Sequence, residues 1–263
     1  MTPGLVPHLL VTLGVAAAVM AVAFGVALRA GRHAVVDVAW GLGFAAVALT
    51  GYGLSQGHGP SPVRLLVTVL AVVWGVRLAA HIYLRSRGAG EDRRYARILD
   101  RAPGNRARYA LRMIYLPQGA ALWFISLPVQ VAQHARGPLP VLAIAGAAVW
   151  AAGFACETVA DAQLARFRAD PAGAGKVLDR GLWRYSRHPN YFGDACVWWG
   201  LYLIASATWP GVLTIASPLL MTWLLAQGTG KPLLERDLVR RRPEYAAYIT
   251  RTSGFVPLPP RRV

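Results

Sequence analysis

Acidic residues are scarce in this chain of 263 residues: 12 Asp and Glu stand against 28 Lys and Arg, a formal net charge of +16. Cysteine is scarcer still. Cys156 and Cys196 sit in or beside apolar runs without CxxC spacing, so neither a disulfide framework nor a metal site is expected. The six histidines form no HExxH or similar ligand pairing, which removes a second route to a metal. No connection between apolar runs is long enough to hold a soluble domain, and no internal repeat is visible. The first apolar run has no basic leader and is too long for a signal peptide, so it reads as a helix. Any site must then be built from helix ends and the loops that join them.

What the chain does have is apolar length. Hydrophobic residues make up 55% of it and fall into seven blocks at 5–28, 34–54, 63–84, 112–131, 139–160, 190–207 and 209–227. Each is close to the roughly 20 residues that a bilayer-spanning helix requires. The fold class is therefore all-α and integral to the membrane, with about seven transmembrane helices in one domain over 1–263. The fourth block, with Pro117 and Pro128, fits the pattern least well. Basic residues alternate: 25 of the 28 fall on connections that share one side of the membrane if seven spans are right. The positive-inside rule then puts the C-terminus in the cytoplasm and the N-terminus outside. Topology and anionic membrane lipids account for the charge, and no nucleic-acid partner is needed. Two nucleotide-like motifs lack their context. GLGFAA (41–46) lies inside an apolar run with no preceding strand, and QGTGKP (227–232) has Pro232 where a P-loop needs Ser or Thr. Both read as helix packing or a helix end. The closing PLPPRRV reads as a frayed tail.

Ionisable groups inside spans are costly and default to function. Asp37 lies near the start of the second run, with Trp40 and Phe44 following at helical spacing. Arg77, His81 and Arg85 recur every four residues on the third, with Trp74 at the deeper end of the stripe. Glu157 and Asp161 lie on the fifth, with Arg168 seven residues beyond Asp161. Asn190 and Asp194 share a face of the sixth. Most of these lie in the cytoplasmic third of their spans, Arg77 deeper, and they are expected to converge on one pocket. Residues 181–194, GLWRYSRHPNYFGD, form its doorway. Pro189 suits the first position of a helix, whose free N–H groups and positive dipole end favour an anion. Lys176, Arg180, Arg184, Arg187 and His188 surround it, while Asn190 and Asp194 offer acceptors for hydroxyl or amino groups. A ligand that combines phosphates with a sugar and a base satisfies both.

GLWRYSRHPNYFGD followed by WWGLYL resembles the C-terminal signature of membrane steroid 5α-reductases and sterol C14-reductases, and most closely their bacterial relatives, the DUF1295 group. The DxQxxxFR of Asp161, Gln163, Phe167 and Arg168 and the Tyr-rich EYAAYITRTSGFVPLPP extend the resemblance across about 150–260. It implies NADPH bound by the C-terminal half without a Rossmann domain, and reduction of an activated carbon–carbon double bond of a lipid or steroid-like substrate. Residues 136–263 would then be mainly the cofactor-binding half and 1–135 mainly the substrate side. Carried over by position, Asp161, Arg168, Lys176, Tyr185, Asn190, Asp194, Tyr245 and Tyr248 would hold NADPH. Arg85, Arg184, Arg187, His188 and Tyr191 complete the candidate set.

The N-terminal half departs from that family. Its glutamate on the second helix has its nearest counterpart in Asp37, and the tyrosine on the third has its approximate place at Trp74, so a 3-ketosteroid is not implied. Trp40 and Trp74 are the candidate substrate contacts; Asp37, Arg77 and His81 are the candidate electrophiles or proton donors. Arg77 is expected to touch Asp37, the cofactor or the substrate. Isoprenylcysteine carboxyl methyltransferases, which bind S-adenosylmethionine, share a related RHPxYxG signature and supply the alternative reading. A non-catalytic lipid binder or transporter would place its polar residues at mid-membrane instead.

Overall fold

The computed structural model describes residues 4–58, 61–228, 230–242 and 244–261. Among them the chain is helical, apart from one isolated bridge between Ser186 and Ser253. In chain order the helices are α1 (Leu5–Ala30), α2 (Val35–Leu54), α3 (Pro62–Ser86), the short α4 (Arg93–Leu99), α5 (Arg106–Ala132), α6 (Val141–Ala169), α7 (Pro189–Ala205), α8 (Trp209–Ala226), α9 (Lys231–Arg241) and α10 (Glu244–Arg251). Six of these, α1, α2, α3, α5, α6 and α8, are long and apolar enough to cross a membrane. The apolar run at 190–207 forms α7, whose 17 residues span roughly 25 Å at 1.5 Å per residue. That falls short of the usual span. In α5, Pro117 cannot continue the backbone ladder, and the turn ahead of it, Leu111–Tyr115, widens to π geometry. Pro128 follows a break at Ser126, where the Ser126 hydroxyl donates to the Trp123 carbonyl at 2.8 Å.

By its internal packing the chain divides into two compact units, Met1–Ile144 with Leu201–Ser217, and Ala145–Gly200 with Pro218–Val263. In the first, α2 and α3 meet backbone to backbone. A Cβ on Gly41 would lie 2.5 Å from the Gly75 carbonyl oxygen, and one on Gly75 would lie 2.5 Å from that of Gly41. The GLGFAA glycines are thus helix-packing residues. Along α1, His8, Thr12, Ala16 and Met20 are buried at four-residue spacing, while Val6, Leu10, Val22 and Leu28 are exposed, as on a helix that turns one face to its neighbours and the other to lipid. The buried polar groups pair internally, as an apolar surrounding demands. His134 and His8 rings meet at 2.9 Å, Thr12 donates to Gln130 at 2.5 Å, and the Gln133 amide donates to Thr68 and the Ala48 carbonyl at 2.8 and 2.7 Å.

In the second unit, α6 and α7 also pack through glycine. Cβ atoms on Gly193 and Gly200 would fall 2.6 Å from the carbonyl oxygens of Gly153 and Gly146. The turn after α6 is pinned back onto it: the Trp183 indole donates to the Ala160 carbonyl at 3.1 Å, and Gln163 Oε1 accepts the Leu182 N–H at 3.0 Å. Gly181 is required there, with φ of +62° and no room for a Cβ beside Gln163. Gly230 lies at the start of α9, with Pro232 in its first turn, so the Gly-Lys pair is a helix end; Thr229 lies outside the described residues. The tail is docked rather than frayed. Leu258 N–H donates to the Tyr185 carbonyl at 3.0 Å, Arg187 N–H to the Ser253 carbonyl at 2.8 Å, and the Ser186 hydroxyl to the Phe255 carbonyl at 2.7 Å. Backbone pairing that the composition of the tail does not advertise holds it in place; Arg262 and Val263 lie outside the described residues.

Candidate functional site

In the first unit the polar groups gather at the start of α2. Just ahead of that helix, the Glu91 carboxylate reaches across to backbone N–H groups that the helix leaves without a partner. It accepts the N–H of His33 at 2.5 Å, of Ala34 at 3.0 Å and of Asp92 at 2.9 Å. Asp92 caps α4 by accepting the Arg94 N–H at 2.8 Å. These two acids fix the approach of α4 to α2 and deliver Arg94 and Tyr95 to Asp37. One Asp37 oxygen accepts Arg94 Nη2 at 2.6 Å, and the other accepts the Tyr95 hydroxyl in a short hydrogen bond. Gln118 Nε2 lies 3.4 Å from the same phenol oxygen. Burial, and next the Asp37 charge, push the Tyr95 phenol well above its ordinary pKa, so it keeps its proton. For Asp92 the interactions with Arg94 outweigh burial and hold the carboxyl below its usual range. The cluster is a neutral phenol gripped by a carboxylate, beside a guanidinium: a hydrogen-bond and proton donor with a nearby positive charge.

The structure thus brings Asp37 together with Arg94 and Tyr95, which Glu91 helps to deliver, although nothing in the local sequence marks these three. The Asp37 carboxylate meets two side chains of α4. Arg77 and His81 are half-buried on α3, and Arg85 is exposed in its last turn. Trp74 is 0% exposed and packs edge-on against Phe44 at 5.4 Å. Trp40 is half-buried, its ring 5.2 Å from that of Phe44.

In the second unit the expected ring of cations divides into three. Arg187 and His188 are buried around Glu235 of α9: Arg187 Nε donates to it at 2.8 Å, His188 Nε2 lies 3.0 Å away, and Arg187 Nη1 also donates to the Ile249 carbonyl at 3.2 Å. Burial opposes the Glu235 charge, but the His188 and Arg187 hydrogen bonds overcome it and bring its pKa down to about 2. Burial lowers the His188 pKa, Glu235 notwithstanding. Both basic groups are thus already matched by a carboxylate that the sequence reading passed over. Arg180 and Arg184 are exposed elsewhere, and Lys176, also exposed, offers its carbonyl to Arg242. Tyr185 is exposed as well. Tyr245 and Tyr248 are buried, with the Tyr248 hydroxyl donating to the Trp183 carbonyl, which makes it an anchor for the turn; Tyr191 stacks on His188 at 5.3 Å.

Acceptors converge on the α6–α7 face. Glu157, Asp161 and Asp194 are buried, and Asn190 Nδ2 donates to Asp161 at 3.1 Å. Asn190 Oδ1 is buried with no hydrogen-bond partner among the described residues, an open acceptor of the kind that a ligand hydroxyl or amino group satisfies. Arg168 lies two turns of α6 beyond Asp161 and is exposed. No group of three or more His, Cys, Asp or Glu among the described residues is arranged to hold a metal.

No solved structure matches this chain. An uncharacterized protein of Schizosaccharomyces pombe is 26% identical over 246 residues, covering 78% of this chain and 66% of its own length. The chain thus spans about two thirds of that relative. Residues 23–252, which carry both polar clusters, match DUF1295, described as a protein family of unknown function. On that match the chain belongs to the DUF1295 family.

Proposed function

We propose that the chain is an NADPH-dependent membrane reductase that delivers a hydride to an activated carbon–carbon double bond of a lipid or steroid-like substrate. The observation that carries this reading is Tyr95, a buried phenol held on Asp37 beside Arg94. Steroid 5α-reductases, which the C-terminal signature resembles, pair a carboxylate with a tyrosine at the substrate carbonyl. Here the tyrosine counterpart is Tyr95 in place of Trp74. The residues on the α6–α7 face fit the cofactor: Asn190 Oδ1 is an open acceptor, with Asp161 and Asp194 buried beside the same helix pair. Asp161, Asn190 and Asp194 would hold its hydroxyl or amino groups, and Arg168 and Lys176 its phosphates. Arg187 and His188 fit less well, because Glu235 already satisfies them.

When bound, NADPH supplies the hydride. The chain's own part is at the carbonyl. The Tyr95 O–H, which rests on Asp37, turns to the carbonyl oxygen as negative charge grows there, and Arg94, held by Asp37, offsets the developing charge. One observation favours a second reading. The buried acids Glu157, Asp161 and Asp194 would also suit a cationic cofactor, so an S-adenosylmethionine-dependent methyltransferase is the alternative. Thermal unfolding of the detergent-purified chain separates the two: NADPH is expected to raise Tm and S-adenosylmethionine to leave it unchanged, with Asn190→Ala and Arg168→Ala each reducing the NADPH shift. Stabilisation by S-adenosylmethionine without any by NADPH replaces the reductase with the methyltransferase.

The reading places the protein in a bacterial inner membrane with seven crossings, α7 being the extra one, the N-terminus outside and the C-terminus cytoplasmic. Its support is the alternation of basic residues. A reporter fused to the C-terminus is expected to be active on the cytoplasmic side, and activity on the outer side alone would refute this topology.

A further inference from the structure

A cleft of about 400 Å³ opens in the second unit between the turn at Gly181–Arg184, the C-terminal end of α10 and the tail. Arg180, Arg184 and Arg251 line it together with Asp179 and Thr252. Arg251 Nη2 pairs with Asp179 at 2.5 Å, while Arg180 and Arg184 have no ion-pair partner among the described residues. Two uncompensated guanidinium groups thus face one cleft. Its walls are fixed: Gln163 and Ala160 of α6 hold the turn, Tyr248 holds the Trp183 carbonyl, and Arg261 N–H donates to the Arg251 carbonyl at 2.9 Å. A rigid fork of donors loses little entropy when an oxyanion arrives.

Depth selects among oxyanions. From Val141 to Cys156, α6 carries no charged side chain. Counted from Val141, the two residues that anchor the turn, Ala160 and Gln163, come at about 30 Å along the helix, the thickness of a hydrocarbon core. The cleft therefore lies at the level of the headgroups. Tyr185 follows the lining residue Arg184 in the chain, and Val256 and Leu258 come shortly before the lining residue Pro260; all three are exposed, and the Leu258 N–H to Tyr185 carbonyl bond holds two of them together. Exposed apolar side chains next to unpaired arginines match a molecule that has an acyl chain and a phosphate.

We infer that this cleft seats the phosphodiester headgroup of an anionic phospholipid, with Arg180 and Arg184 on the phosphate oxygens and Tyr185, Val256 and Leu258 against the acyl region. The site is separate from the acceptors proposed for NADPH, and the inference does not depend on that reading.

Phosphatidylglycerol, titrated into the full chain in a neutral detergent and followed by native mass spectrometry, tests it. Arg180→Gln/Arg184→Gln is expected to weaken retention on the order of 30-fold, from about 1 kcal/mol per arginine at a membrane surface. Phosphatidylcholine should show no such loss. A control pair, Arg101→Gln/Arg108→Gln, removes the same charge from exposed positions in the other unit and should leave retention as in the wild type. If the double variant is too unstable to purify, Arg184→Lys keeps the charge without the fork and should still weaken retention. Equal losses from the cleft and control pairs would reduce the effect to net charge and overturn the site. So would unchanged phosphatidylglycerol retention alongside a lost NADPH shift, which would assign the cleft to a cofactor phosphate.

Discussion

Tyr95→Phe is expected to lower NADPH-dependent turnover of α,β-unsaturated lipid ketones by roughly 10²–10⁴-fold, the range for losing a positioned acid. The phenylalanine keeps the ring that Arg94 covers at 5.2 Å and removes only the hydroxyl held by Asp37. Fold and NADPH affinity should therefore stay close to wild type, and the loss should fall on kcat. Asp37→Asn gives the complementary result. Its amide preserves shape and can still hold the phenol, but it leaves Arg94 with Asp92 as its remaining acidic partner. The Asp37 and Arg94 side chains are 18% and 32% exposed, and Asp92 remains to offset the Arg94 charge, so the stability cost should be modest, about 1–2 kcal/mol. A large fall in turnover at that small cost marks a group acting in the reaction. If Asp37 is only a counter-ion, turnover will persist, and Asp37→Asn/Arg94→Met will recover the stability lost. Full activity in Tyr95→Phe would remove this cluster from the chemistry.

The outline of this arrangement is legible in the sequence because burial in a bilayer leaves a one-dimensional trace. Long apolar runs mark the spans, an acid at the head of α2 stands out against them, and Pro189 opens α7 where proline is tolerated. Tyr95 leaves no such trace. It sits in a short arginine-rich helix with no apolar period, and its partner Asp37 is 58 residues away. Contacts such as the Glu91 clasp just ahead of α2 and the Arg32 hydrogen bond to the Ala89 carbonyl bring them together, and a carboxylate accepting backbone N–H groups has no sequence pattern of its own. The cation ring fails for the opposite reason. Charges close in sequence at 176–188 look like one site, but a 3-10 turn at Gly181–Arg184 sends Arg184 outward and Arg187 inward.

Glu235→Ala is expected to be the most destabilising single change in the second unit, at about 3–5 kcal/mol, the usual cost of stranding a buried charge. The Arg187 and His188 side chains are 10% and 5% exposed, and Glu235 is the carboxylate both of them meet. The same contacts set a pH signature. The Glu235 pKa lies at about 2, below its ordinary 4.5, so its stabilising contribution is complete above pH 4.5 and disappears as the pH falls toward 2. His188, with its pKa lowered from 6.5, is held neutral. Below pH 6.5 the unfolded chain takes up a proton there more readily, so His188 adds an earlier loss with the same sign. Hydrogen-exchange protection factors over α9, α10 and residues 252–258, taken relative to the intrinsic rate at each pH, should accordingly fall as the pH drops below 6.5, and again below 4.5. Glu235→Gln should remove the second step while leaving the first, and persistence of both steps would assign the acid sensitivity to other groups. The outcome also bears on the cofactor. An arginine committed to Glu235 and to the carbonyls of Ile249 and Thr252 is spent on holding α9 and α10 against the head of α7. Arg187→Gln should then lower Tm at every pH at which Glu235 is charged, without the salt-dependent loss of NADPH affinity that a phosphate contact would show.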